Sequence, residues 1–391
     1  MPTQFNTQGV ELPPPGKTAL AHSSRLVQAI IGRIEQRGGL IGFDEYMQMA
    51  LYEPGLGYYS AATPKFGAQG DFVTAPEISP MFGFCLGQQV NALVAQGAGA
   101  RILEFGAGSG KLCAQILNSS PGLEQYHILD LSAELKQRQE RYLRAHLSVE
   151  LFHKIDWLSG LPTDFDGIVL ANEVLDAMPV HVLLKQGDWA ELGVGYDDGK
   201  FFWQSFTPGK PALDAIRSIE ARLGELPDNY CSELNLNYSP WFTALAESCK
   251  RVAVLIIDYG YEQAHYYNPA RSRGSLICHY RHRVHNDPLI YPGLQDITAF
   301  VDFDACADAA ENAGFELVGM VPQGQFLLAN GLLEEAQRRS LEGDTAVQLA
   351  VSQQVQTLSL PQEMGEKFKV LAMHKNLAPE MPAMRREGAY G

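Results

Sequence analysis

Between Arg101 and Lys111 the chain reads RILEFGAGSGK, an apolar run that carries Glu104 and opens onto Gly106, Gly108 and Gly110. Glycines at this spacing serve a backbone that turns sharply from strand to helix, and one that a ligand must approach more closely than a Cβ allows. Such a turn makes a crevice for a nucleotide-like ligand. Two phosphate-binding patterns fail here. A P-loop needs G-x-x-x-x-G-K-[ST], and counting back from Gly110 and Lys111 puts Phe105 at the first glycine and Leu112 at the hydroxyl position. A dinucleotide fingerprint begun at Gly106 needs its third glycine where Lys111 stands. A second polar group follows in GIVLANEVLDAMPVH, where an apolar run delivers Asn172, Glu173 and then Asp176, an amide and two acids suited to a cationic or hydrogen-bonding group.

The pattern E-x-G-x-G-x-G is similar to the turn of class I S-adenosylmethionine enzymes, whose cofactor has a carboxylate, an ammonium and a ribose but no phosphates. The next apolar run, YHILDL, ends in Asp130, twenty residues after Gly110 (130 − 110), where an acid can accept both ribose hydroxyl protons. Ala107 and Leu131 flank these positions and complete the cofactor candidates there. Glu104 is a candidate to orient either the turn or the cofactor ammonium, and Asp156 with Trp157 to meet the adenine. The plainer alternative is a tight strand-helix turn with Asp130 as a strand-end cap.

Methyl transfer is an in-line displacement, so the protein mainly aligns a lone pair with the sulfonium carbon and excludes water. If the nucleophile is a guanidinium, whose pKa in solution is about 13.8, carboxylates must hold it by paired hydrogen bonds. Glu173 and Asp176, with Asn172 beside them, are the candidates for that work. The alternative gives Asn172 and Glu173 to a helix cap and leaves Asp176 solvated.

The elements that must position these groups follow from periodicity. RILEF, KLCAQILNS, YHILDL, AELKQRQERYLRA, ELFHKI and GIVLAN alternate strand and helix, which argues for a parallel sheet covered on both faces. SSRLVQAIIGRIEQRGG places Leu26, Ile30, Ile31 and Ile34 on one helical face behind a serine cap, and FDEYMQMALY is a second short helix. DWAELGVGY and GKFFWQSF read as antiparallel strands around YDDGK, followed by a helical PALDAIRSIEARL. The segment 53–79 is rich in Gly, Pro and aromatics and reads as a long loop. The expected layout is a flexible tail over 1–22, a helical and loop region covering the active site over 23–97, and a core over 98–185 and 247–330. An inserted α+β subdomain spans 186–246, and a C-terminal helical segment 331–391.

Composition bounds the rest. The 391 residues are 46% hydrophobic and 19% charged, enough for a buried core. A net charge of −15 repels phosphate backbones and anionic membranes, which disfavours nucleic acid and favours basic partners. No run of eighteen uninterrupted apolar residues exists, so no membrane span is expected. The first twenty residues carry neither a basic start with an apolar run nor an Arg-rich amphipathic pattern, and a cytoplasmic protein is expected. Six scattered cysteines form no C-x-x-C pair and read as reduced thiols. CHYRHRVH carries Cys278, His279, His282 and His285, but Arg281 and Arg283 would crowd a cation, so a polar loop is expected there and no metal. Trp241, Tyr259, Tyr261, Tyr266 and Tyr267 read as packing residues.

Several blocks occur together in order: GGLIGFDEYMQMALYEPGLGYY, FGAQGDFVTAPEISPMFG, ILEFGAGSG, NEVLDAMPVH and GSLICHYRHRVHNDPLIYPGLQDITAFVDF. Over residues 38–303 they resemble the MidA-like family of class I methyltransferases. The resemblance implies an α/β, Rossmann-like seven-strand core with an N-terminal helical region and an inserted α+β segment, and S-adenosylmethionine as cofactor. It implies a protein substrate with an accessible arginine, and, from the mitochondrial member that assists respiratory complex assembly, symmetric dimethylation of a respiratory-complex subunit. A homodimer is a further expectation. The family's glycine turn falls on Gly106, Gly108 and Gly110, its ribose acid on Asp130, where glutamate is also common, and its N-E-x-x-D-A-x-P block on Asn172, Glu173, Asp176, Ala177 and Pro179. Its G-D-F-x-T-x-P-E-I-S loop falls on residues 70–79, with Asp71, Thr74, Glu77 and Ser79 as polar candidates over the cofactor; Ser79 also reads as the cap of a helix from Pro80. The competing readings are a cofactor-binding assembly factor without essential catalysis, and a nicotinamide-dependent oxidoreductase.

Overall fold

Apolar runs bounded by glycine, serine or acidic turns become the strands of one mixed sheet. In the computed structural model, which describes residues 11–60, 74–130 and 132–385, these are Arg101–Phe105 (β1), Gln125–Leu129 (β2), Ile155–Leu158 (β3), Phe165–Asn172 (β4), Cys249–Tyr261 (β5), Glu316–Pro322 (β6) and Phe368–Lys375 (β7). Their order is β6-β7-β5-β4-β1-β2-β3. The pairs β1–β2, β2–β3, β1–β4 and β4–β5 are parallel, and β7 runs antiparallel to both β5 and β6.

The chain steps outward from β1 to β3 and then returns to the other side of β1 as β4. The loops leaving β1 and β4 therefore diverge, which opens a crevice at their carboxyl ends. Register fixes what meets there: Phe105 pairs with Ala171, so the glycine turn and Asn172 leave the sheet side by side. Ile102, Ile128, Ile168, Leu170, Leu255 and Ile257 are all sealed in the core beneath this edge.

Helices Pro80–Ala95 (α1), Lys111–Ser119 (α2) and Ala133–His146 (α3) belong to the same unit, which comprises Val73–Leu175, Trp241–Gly260 and Cys306–Gly391. Ser79 caps α1 as its sequence position suggests, its Oγ accepting from the Met81 N–H at 3.1 Å. The tail does not stay helical. FKVLAMHK is buried on both faces as β7, and a short unbroken apolar run of that kind gives periodicity nothing with which to separate strand from helix.

The second unit gathers Met1–Phe72, Asp176–Pro240 and Tyr261–Ala305. A five-stranded sheet holds Ile41–Gly42, Asp188–Asp197, His181–Gln186 and Cys231–Leu234 in that order, with Lys200–Phe206 paired to Asp188–Asp197 across the expected turn. Ile277–Tyr280, Arg283–His285 and Asp296–Thr298 form a three-stranded sheet. Its Cys278 and Ile297 share a core with Leu26, Ile30 and Tyr46, so residues 261–305 fall in this unit and not with the large sheet. The first helix runs Lys17–Gln36 behind Gly16, not from Ser23. Ser23 is buried inside it and donates to the Pro292 carbonyl at 2.9 Å, because nothing in KTALAHSS breaks a helix once Gly16 has started it. Among the described residues no helix is long and apolar enough to cross a membrane.

Candidate active site

The turn after β1 is built from left-handed backbone. Gly106, Gly108 and Gly110 have φ of 61°, 54° and 85°, a region that L side chains enter at a cost. The Gly106 N–H donates to the Leu129 carbonyl at 3.0 Å and the Gly110 N–H to that of Ala107 at 2.8 Å, which locks the turn against β2 and closes it on itself. A Cβ on Gly106 would stand 3.4 Å from Val174 Cγ2, so any side chain there would reach the segment after β4.

Glu104 lies beneath the turn, 2% exposed, with its Oε2 accepting from the Tyr126 hydroxyl at 2.9 Å. Burial pushes its carboxyl up to about 8, against the opposing pull of the Tyr126 hydrogen bond, and the nearby Asp130 charge adds to the rise. It is therefore an inward-facing acid whose charge is held back, and it orients the floor of the turn through Tyr126.

Glu77 braces the turn from outside. It sits in the short helix Ala75–Ile78, and its two oxygens accept from Ser109 Oγ and Lys111 Nζ, each at 2.5 Å. Gln115 on α2 donates to the Pro76 carbonyl at 2.9 Å and fixes that helix in place. Thr74 precedes the helix, and its carbonyl accepts from the Glu77 N–H at 2.9 Å. Asp71 and Leu131 lie outside the described residues.

Asp130 follows β2, and Gln139 Nε2 donates to its Oδ2 at 2.9 Å. The same amide nitrogen donates to the Gly108 carbonyl at 3.2 Å, and Gln139 Oε1 accepts from Trp157 Nε1 at 2.9 Å. Three cofactor candidates, from the turn after β1, the end of β2 and β3, are thus tied together by a residue that motif reading missed. The signal was present: Gln139 interrupts the buried stripe of Leu135 and Leu143 on α3, at positions i, i+4 and i+8. Asp156 is not brought to this group. Successive residues of β3 face opposite ways, and Asp156, 55% exposed, turns toward His127, 3.8 Å away, while Trp157 faces Gln139.

At the end of β4, Asn172 Nδ2 donates to Glu173 Oε1 at 3.2 Å. Glu173 has φ of 53°, and its N–H donates to the Ile257 carbonyl at 2.9 Å. Fully buried Asp258, on β5, accepts from the Leu175 N–H at 3.0 Å and holds the same loop from the neighbouring strand. Asp176 begins the other unit, where its carbonyl accepts from the Ala299 N–H at 2.9 Å. There the buried Asp176 carboxylate lies close enough to Tyr59 to help hold that phenol above its ordinary range, after burial and Asp296.

The remaining sequence candidates pack or turn. Trp241 lies 5.1 Å from Phe105 and Tyr259 5.4 Å from Phe368, centroid to centroid. Tyr261 meets Phe300, and Tyr266 and Tyr267 are buried. Arg281 and His282 form the left-handed turn of the CHYRHRVH hairpin. Among the described residues, the His and acid side chains gathered closely enough for a cation are instead Asp44, His181 and Glu191. The imidazole there is already engaged, its Nδ1 2.7 Å from Glu191 Oε1. All six cysteines are buried.

Residues 85–321 match the family described as "Putative S-adenosyl-L-methionine-dependent methyltransferase". The chain belongs to this family. The crystal structure of a Burkholderia thailandensis protein bound to S-adenosyl-homocysteine superposes with a TM-score of 0.89 at 40% identity, covering 96% of this chain and 98% of that one. The Drosophila melanogaster homologue of protein arginine methyltransferase NDUFAF7, mitochondrial, is 30% identical over 86% of this chain and 82% of its own length. The human NDUFAF7 protein is 28% identical over 86% of this chain and 80% of its own.

A cytoplasmic location, expected from the first twenty residues, is overturned by these relatives, which are named as mitochondrial proteins. The composition of a chain start speaks to a leader and says nothing of the compartment in which a fold works. The cofactor of the family fits the residues present. Asn172 Oδ1 is a buried acceptor that no described group satisfies, which a bound ammonium would correct. Gly106 and Gly108 present left-handed backbone without a Cβ at this turn, and Asp130 follows the end of β2, the position at which such folds take up ribose hydroxyls.

Proposed function

We propose that this chain methylates an arginine side chain of a protein. The observation that carries the reading is an amide and a carboxylate, Asn172 and Glu173, fixed at the end of β4 beside the glycine turn, in a chain whose relatives over 86% of its length are named protein arginine methyltransferases. When bound, S-adenosylmethionine supplies an electrophilic methyl on a sulfonium.

In this proposal Gly106, Ala107, Gly108 and Gly110 give the cofactor its close approach to the main chain, Asp130 takes the ribose hydroxyls and Trp157 the adenine. Asn172 accepts from the ammonium. Glu173 accepts hydrogen bonds from the guanidinium and so localises its charge away from the attacking nitrogen. That nitrogen's lone pair forms the N–C bond as the C–S bond breaks and sulfur keeps its electron pair. The surplus N–H proton passes to the Glu173 carboxylate. The acidic balance of the chain, −15, favours a basic protein surface as substrate.

The test is transfer of labelled methyl from S-adenosylmethionine into proteins of a lysate that lacks this chain, read by mass spectrometry. Modified arginine is expected with the wild type and none with Glu173→Ala or Gly106→Val. Label on another residue type, or none with a folded, cofactor-binding protein, overturns the reading. The same spectra test its finer part, taken from the family resemblance: symmetric dimethylation, on a respiratory-complex subunit.

A further inference from the structure

Gln139 is fully buried, at the centre of the apolar face of α3. A buried amide is costly unless its donors and acceptor are all used, and here hydrogen bonds engage it at both ends. Nε2 faces the Asp130 carboxylate and the Gly108 carbonyl, while Oε1 faces the Trp157 indole N–H. This arrangement fixes the amide's orientation, because the flipped form would set oxygen against two acceptors and NH2 against a donor.

The chemistry is selective for glutamine. Glutamate, when ionised, accepts but donates nothing, and would bring a second charge against Asp130. Asparagine is one methylene shorter, and an apolar side chain of the same shape meets none of the three partners. The three partners come from the turn after β1, the end of β2 and β3; sheet pairing sets the backbones of these elements, and the Gln139 amide joins the Asp130 and Trp157 side chains to them.

We propose that Gln139 is a cofactor-positioning residue, which sets the ribose acid Asp130 and the Trp157 ring in one fixed relation to the glycine turn before the cofactor arrives. It touches no reacting atom. Its effect is on affinity, through preorganisation of two groups that would otherwise rotate at each binding event. The inference rests on the placement of the cofactor at this turn.

The experiment uses the full chain and S-adenosylhomocysteine as the probe, with calorimetry and thermal melts on wild type, Gln139→Met, Gln139→Glu and Asp130→Ala. Methionine keeps the shape and removes all three hydrogen bonds, and a tenfold or greater loss of affinity is expected. Glutamate keeps the acceptor for Trp157 but opposes Asp130, and is expected to lose more. In NMR spectra the Trp157 indole N–H resonance should move upfield in the methionine variant and stay near its wild-type position in the glutamate variant. A residue that merely fills space would lower the melting temperature without this order of affinities or this resonance pattern. Affinities within twofold of wild type in both Gln139 variants, while Asp130→Ala weakens binding, overturn the role given to Gln139 alone. If Asp130→Ala also binds as wild type, the placement of the cofactor is wrong and the proposal falls with it.

Discussion

The Tyr126 hydroxyl donates to Glu104 Oε2 at 2.9 Å between two neighbouring strands, with both side chains closed to solvent. One hydrogen bond does not compensate a buried carboxylate, and burial lifts the Glu104 pKa from its ordinary value of 4.5 to about 8. A folded-state pKa above the unfolded one means that the folded protein prefers the proton. Stability is then fully present below about pH 4.5 and declines as pH rises to about 8. Glu104→Gln removes that dependence while keeping an acceptor for Tyr126. In melts of the cofactor-free protein, the variant should gain on the wild type as pH rises from 5 to 8, by a few kcal/mol at most. A difference that is flat with pH would show that the carboxylate ionises without penalty.

Gly106 combines a φ of 61° with Val174 Cγ2 at 3.4 Å from where a Cβ would stand. Gly106→Ala is the smallest change that tests both constraints. It should cost about 1–2 kcal/mol of stability through the left-handed backbone and weaken S-adenosylhomocysteine at least tenfold, because the turn must flatten where the ligand makes its closest approach. Melts and calorimetry on one preparation separate the two effects. Loss of stability with unchanged affinity would mean that the turn is structural only.

Glu173 holds a φ of 53° that its side chain does not favour, so its backbone and its carboxylate can be examined separately. Glu173→Ala removes the carboxylate and keeps the strain, whereas Glu173→Gly removes both. Methyl transfer should be lost in both variants with cofactor affinity kept within a few-fold. The glycine variant should be the more stable of the two by about 1 kcal/mol. Equal activity to wild type in either variant would take Glu173 out of the reaction.

Elements with a strong period were legible in the sequence, as were groups whose role is set by a turn. RILEF, KLCAQILNS, YHILDL, AELKQRQERYLRA and GIVLAN, the strand pair around YDDGK and the Ser79 cap stand where their patterns put them, whereas ELFHKI does not: Val149–Phe152 is a short helix capped by Ser148 and the strand begins only at Ile155. What escaped depends on partners distant in sequence. Trp157 and Asp156 look alike as neighbours, and only pairing with β2 decides that they face apart. Gln139 looked like one polar residue among many in AELKQRQERYL until the burial of Leu135 and Leu143 showed which face it shares. β7 is inserted between β5 and β6 from more than a hundred residues downstream of β5, and no local period encodes that placement.

His181 sits between Glu191, with Oε1 2.7 Å from Nδ1, and Asp44, with Oδ2 3.7 Å from Nε2. Burial alone would lower its pKa, but the Glu191 hydrogen bond and the two negative charges outweigh it and hold the imidazole above its ordinary value. A raised folded-state pKa contributes stability that is whole below the unfolded value, about 6.5, and is lost as pH climbs through the higher folded one. The charged bridge joins the Phe43–Tyr52 helix to two strands of its sheet, so its loss should loosen that corner. His181→Gln keeps a donor for Glu191 and removes the charge. The wild type should exceed it in stability at pH 6, by about 1 kcal/mol as read from melts, and the gap should close by pH 9. A gap that widens with pH would mean that the imidazole is neutral in the folded chain, and that the two carboxylates repel across it.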